Sequence, residues 1–312
     1  MKLFYCKPIF GLVMMLMINF SLHAQNDVDG IMMGKNLFCA GVMGAHSSWN
    51  QYWEGTNLRI NENLGTVKTN MFGAMGSYGV GKNLNLLFSL PYVQTKATAG
   101  QLKGFNGVQD FSIWGKYRVF RKKTTHSSFS VFGIGGVSSP TNNYVKDYLP
   151  LSIGLGSKNL VLRGMLDYEN RNVFATLSTS LISRSNISLD RQAYYTTRMT
   201  YSDKVSMPQV LYTNLRMGFR NKEIVAEVVA DQWTTQGGYD ITKNNMPFPS
   251  NRMNQTRVGL NGKYEPVKWK GISLTSAFYK TMSGRNMGKS TFFQFGFFYI
   301  IKMKKQTQSK TN

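Results

Sequence analysis

No run of about 18 uninterrupted apolar residues follows Phe20, so the later chain offers no membrane-spanning helix. Cysteine is nearly missing. Of the two, Cys6 lies in the amino-terminal leader and Cys39 stands alone, which excludes an intramolecular disulfide framework. Cys39 is also too far from the leader's end to be a lipidated first residue. Histidine numbers three, and acidic residues number 15 against 37 basic ones. So few ligands, so widely scattered, make no metal set, and no metal or other cofactor is expected. Catalysis by a membrane-embedded hydrolase needs Ser, His and an orienting Asn, Asp or Glu close together. His46 and Ser47 are neighbours whose side chains point to opposite faces of a strand, and His126 falls in a turn. No catalytic residue is assigned, and the chain is not expected to be an enzyme.

Two glycine motifs fail for similar reasons. Ser283 to Ser290 imitates a phosphate-binding loop, but Gly284 and Gly288 are too close together and an aromatic strand follows instead of a helix. Gly133-Ile134-Gly135-Gly136 sits inside a strand and lacks dinucleotide spacing. Nucleic-acid binding is not expected despite the formal charge of +22, because the leader directs the chain out of the cytoplasm.

What is present points to a membrane. Lys2 and Lys7 precede an apolar run from Ile9 to Phe20, and Ser21-Leu22-His23-Ala24 offers small residues for cleavage before Gln25. Residues 1–24 therefore read as a secretory signal peptide. Residues 25–35 follow as a short periplasmic lead, too small to plug a wide pore. From there strand-like runs alternate with connectors near 36–46, 66–79, 83–95, 107–120, 127–138, 158–168, 172–184, 208–220, 222–234, 255–265, 270–282 and 291–302. Most match the ~9–11 residues that a tilted membrane strand needs. The expected fold is an all-β transmembrane antiparallel barrel of about 12 strands (range 10–14), spanning 36–302, with a polar periplasmic tail at 303–312. Short and long connectors alternate strictly, as short periplasmic turns and long extracellular loops do in outer-membrane barrels.

Period-two reading separates two faces. Charged side chains collect on one parity, and a charge at mid-bilayer costs ~2–4 kcal/mol, so that parity must face the lumen. The lumen candidates are Asp110, Lys116, Arg118, Arg163, Asp167, Arg216, Arg220, Glu227, Asp231, Arg257 and Lys263. Two readings follow: a solvated interior whose charges pair across strands, or a basic constriction that selects anionic or polar-aromatic solutes. The last strand, 291–302, places Phe293, Phe295, Phe297 and Tyr299 towards lipid and is expected to close the barrel against 36–46. Trp49, Tyr52 and Trp53 read as an interfacial aromatic girdle, or as a lip over the pore.

One segment carries a resemblance. The run 104–120, with Gly107, Asp110, Lys116, Tyr117 and Arg118, resembles an outer-membrane protein family named after the meta-pathway of phenol degradation. That family is related to the long-chain fatty-acid transporter barrels. Pro140-Thr141 and the Gly154, Gly156, Ser157 step match its loop pattern, with Asn142 where the family has glycine; the likeness covers roughly residues 66–185. It implies an outer-membrane location and passive uptake or efflux of small hydrophobic or aromatic solutes. The expected partners are that solute, outer-membrane lipids and lipopolysaccharide, and the barrel-assembly machinery. The alternatives are a structural or assembly barrel with a blocked lumen and, further off, an outer-membrane lipid hydrolase.

Overall fold

The computed structural model describes residues 26–242 and 246–303. The proposed signal segment, and the tail from residue 304 onward, lie outside the described residues.

Twelve long strands form one closed antiparallel barrel. They are β1 Leu37–Trp49, β2 Val67–Gly79, β3 Leu84–Ala97, β4 Asp110–Lys123, β5 Ser127–Pro140 and β6 Asn159–Asn170, followed by β7 Val173–Arg184, β8 Gln209–Arg220, β9 Ile224–Gln236, β10 Asn254–Tyr264, β11 Ile272–Arg285 and β12 Thr291–Lys302. Each pairs with its sequence neighbour, and β12 pairs with β1 from Leu37↔Lys302 to Ser48↔Thr291. Closure leaves no sheet edge in the membrane, where an unpaired backbone amide would have no water to bond. The strands run 11 to 14 residues; β1, β3, β5, β9 and β11 extend further at the loop end than the sequence pattern suggests while β4 starts later there, and several project beyond a bilayer.

Alternation sorts the side chains as charge dictates. Leu160, Leu162, Leu166 and Tyr168 point out of β6 while Arg163 and Asp167 point in, and Phe295 on β12 is 68% exposed. Phe293, Phe297 and Tyr299 share that outer face. In β4 the alternation breaks at a bulge between Arg118 and Phe120, so Val119 and Phe120 are both exposed. A bulge adds one unpaired residue and shifts the parity beyond it.

We predict that Phe295→Arg costs ~2–4 kcal/mol in urea unfolding from lipid vesicles, because the charge lands on the lipid face. Gln294→Arg, one residue away and lining an interior cavity, is expected to cost less than half as much. Equal costs would contradict the face assignment.

Five short connectors lie at one end and six at the other, five of those six long; the sixth, 286–290, is shorter than 265–271 at the opposite end, because β11 runs on to Arg285. Several long loops fold on one another. Gln51–Glu54 pairs with Asn57–Ile60, and Ile187, Leu189, Val205, Met207 and Phe248 form a small apolar core. Trp53 is buried in this layer, close to Gly284, and Trp49 packs by Gly288. Both therefore pack within the folded loop layer, which departs from the expected lip or lipid girdle. Asn286 ties three loops: its Oδ1 accepts from Gly55 N and Ile241 N, and its Nδ2 donates to Asp240 and to Arg252 O. The side-chain hydrogen bonds from Arg285 hold the Asp240 carboxyl down at about 2.

Candidate functional site: a plugged and charge-paired lumen

The lead segment is the largest departure from the sequence reading. The expectation of a short periplasmic lead too small to plug the pore is corrected: residues 26–33 lie inside the barrel, against inward-facing side chains. A local turn shapes it. Asn26 Oδ1 accepts from Val28 N and Asp29 N at 3.0 and 2.8 Å, and Asp29 Oδ2 accepts from Asn26 N at 2.8 Å. Asn and Asp favour such turns because a short side chain can replace a backbone acceptor two or three residues away. Beyond the turn, Ile31, Met32 and Met33 each reach a different part of the wall. Ile31 packs with Phe174 and Val225, Met32 against Phe132, Ile134 and Met165, and Met33 with Leu37, Cys39 and Ile300.

Two ion pairs latch this plug. Lys116 of β4, with no exposed surface, donates to Asp29 O, Asp29 Oδ1 and Ile31 O at 2.5, 3.0 and 2.8 Å. Its ammonium also lies 5.4 Å from the Phe132 ring centre. Arg163 of β6 donates through one NH to both Asp27 O and Asp27 Oδ2 at 2.7 Å, and through Nε to Ser180 Oγ at 2.8 Å. Gly30 passes so close to the wall that a Cβ there would overlap the Asp167 carboxylate. A larger residue there would have to push that carboxylate away from its partners Thr176 and Arg220.

The rest of the wall is paired strand to strand. Arg257 faces Asp231 directly in the β9–β10 register and donates Nε and NH2 to its two oxygens at 3.0 and 2.9 Å. Arg216 donates to Glu227 at 2.6 Å, and Asn261, opposite Glu227, donates to the same carboxylate at 2.8 Å. Arg220 reaches Asp167 and Glu169 and stacks 3.9 Å above Phe174. Lys263 pairs with Glu265 at 3.0 Å. Buried charges persist only when paired and hydrogen-bonded in this way.

The remaining candidates sit at the two ends. Asp110 accepts from Tyr144 Oη at 2.6 Å at the loop end, so a loop tyrosine takes the place of the expected lumen cation. Arg118 donates to Lys82 O and Asn83 Oδ1 beside a short turn. His46 bonds Asn70 at 2.7 Å. Among the described residues, no group of three or more His, Cys, Asp and Glu is placed to hold a metal ion.

The plug divides the interior. Above it, a cavity of about 370 Å³ has charged residues of β6 to β10 on one side. Met43, Met75, Phe292 and Phe298 lie on the other. Below it, a cavity of about 460 Å³ opens past Gly30, Ile31, Arg118 and Arg220. The sequence reading missed Asp27, Asp29 and Ile31. Two signals were available: Asn26-Asp27-Val28-Asp29-Gly30 is a dense turn cluster, and the apolar Ile31-Met32-Met33 has no reason to sit in water.

An outer membrane channel from Pseudomonas putida F1 has the same fold: TM-score 0.70, 13% identity, covering 89% of this chain and 99% of that one. The NanC porin superposes at 0.46 with 7% identity, over 82% of this chain and 98% of its own. The translocator domain of the autotransporter NalP from Neisseria meningitidis superposes at 0.43 with 12% identity, over 87% and 90%. Only the first score carries weight, and at that identity it speaks for the barrel architecture alone. No protein-family profile matches the sequence, and no curated protein does.

Proposed function

We propose that this barrel is an outer-membrane channel for small hydrophobic or aromatic solutes, closed at rest by its own residues 26–33. The observation that carries the reading is a pair of cavities that meet at that segment, with Ile31 of the segment and Arg220 of the wall lining both. A barrel serving as scaffold alone has no need of two voids lined by distinct chemistry. The segment is held by two ion pairs and a few apolar contacts rather than by a strand in the sheet, so it can leave without unfolding the wall.

The lining supports the solute class. A solute in the upper cavity meets a charge ladder on one side and methionine and phenylalanine on the other. That surface suits molecules with an apolar body and a polar group. The basic lumen expected from composition is masked at rest, because the lumen cations outside the mouth all have carboxylate partners. When the plug leaves, Lys116 and Arg163 lose theirs and the wall turns cationic, which biases passage towards anionic or polar-aromatic solutes. A short aromatic alcohol and a short aromatic carboxylate, each loaded outside proteoliposomes, test the reading. Entry of either above protein-free vesicles is expected. Entry of neither, with the plug intact or deleted, would leave the structural-barrel alternative.

A further inference from the structure

The short-turn end of the barrel carries a feature that solute passage does not use. Each of its five turns, or the strand end beside it, exposes at least one basic side chain: Lys82, Lys122, Arg171, Lys222 and Lys270. Lys302 adds a sixth at the end of β12. No acidic side chain in these turns is exposed. Glu169 and Glu223 are half-buried and Glu265 is buried, with Glu169 and Glu265 engaged by Arg220 and Lys263. The result is a complete cationic collar.

Just above the collar runs a ring of outward aromatics, one from each even-numbered strand after β2. Tyr117, Tyr168, Phe219, Tyr264 and Tyr299 are all exposed on the outer wall. Trp269, 58% exposed, sits between Lys268 and Lys270 in the β10–β11 turn. Amphipathic rings settle at the boundary between hydrocarbon and headgroup. Basic side chains one step beyond that boundary therefore lie at the level of the lipid phosphates.

We propose that this collar binds anionic glycerophospholipid headgroups in the leaflet around the short-turn end. Geometry favours lipid over a protein partner, because the charge encircles the barrel and a protein would cover one sector. Several lysines at one depth attract an anionic surface, and the attraction weakens with salt. The proposal does not depend on whether the lumen conducts.

The experiment uses the whole protein in nanodiscs of phosphatidylcholine and phosphatidylglycerol mixed equally. Lipids retained after gentle detergent release are counted by native mass spectrometry. Wild type is expected to enrich phosphatidylglycerol by roughly fivefold, consistent with several collar charges acting together. The combined variant Lys82→Gln, Lys122→Gln, Arg171→Gln, Lys222→Gln and Lys270→Gln is expected to lose most of that enrichment. Neutralising five exposed basic residues of the opposite rim, Lys68, Lys96, Lys103, Lys158 and Arg198, is expected to leave it intact. Enrichment absent in wild type, retained in the collar variant, or lost equally in the control overturns the proposal. If the collar variant fails to fold, a salt titration of wild type decides. The enrichment must fall between low and high ionic strength, and an unchanged value overturns the proposal.

Discussion

Deleting residues 26–33 is expected to turn a closed or flickering barrel into one with steady current in planar bilayers, and to shift its selectivity towards anions. The deletion removes a segment that lines both cavities, and it takes the Asp27 and Asp29 carboxylates with it. Lys116 and Arg163 then line an open path with no counter-charge from the plug. Arg216, Arg220, Arg257 and Lys263 keep Glu227, Asp167, Asp231 and Glu265. The shift in reversal potential should therefore track two cations rather than the whole ladder. Replacing both by neutral residues in the deleted barrel should keep the current and abolish the shift. A barrel that stays silent after deletion would mean the wall itself occludes the lumen. A barrel that conducts without becoming more anion-selective would mean that the two cations find other partners.

The sequence made the wall legible and left the interior contents obscure, for a physical reason. Strand parity is a local property: Arg163 and Asp167 are four residues apart and must share a face, whatever surrounds them. Closure follows as well, since Phe293, Phe295, Phe297 and Tyr299 demand a strand whose other edge is paired. All twelve strands sit where alternation puts them, with boundary shifts no larger than that at β4, where a loop-end start at Asp110 replaces residue 107. The plug is different. Nothing local says that Asp29 will meet Lys116, 87 positions later, or that Asp27 will meet Arg163, 136 positions later. Such contacts exist only after the barrel has closed around the segment. The sequence offered an imbalance instead, with more inward cations than inward carboxylates on the strands. In the folded barrel the plug supplies two of the missing anions, Asp27 and Asp29. Asp110 shows the opposite error: parity places it inward, but Tyr144 in the following loop takes its carboxylate. Parity sets the face of a residue and leaves its partner open.

The strongest test of the latch is the pair Lys116 and Asp29. Removing one member of a buried, hydrogen-bonded ion pair leaves the other uncompensated, at a cost of ~3–5 kcal/mol. In Lys116→Met that cost falls on the plug rather than the wall, because Asp29 can escape to water by leaving the barrel. A change of about 3 kcal/mol displaces a two-state equilibrium by roughly 10²-fold. An Ile31→Cys reporter in a Cys39→Ser background reads that displacement, since Ile31 is buried against Phe174 and Val225 in the seated plug. Labelling by a water-soluble maleimide should accelerate by about two orders of magnitude in Lys116→Met. In Asp29→Asn the gain should be smaller, because Lys116 still donates to the carbonyls of residues 29 and 31. The double variant should label more slowly than Lys116→Met alone, as both charges are gone and the apolar contacts of Met32 and Met33 remain. Heat-modified gel migration of the barrel should be the same in all four proteins, which separates plug release from unfolding. Equal labelling rates across the set would mean that the apolar contacts alone seat the plug, and that the ion pairs merely accompany it.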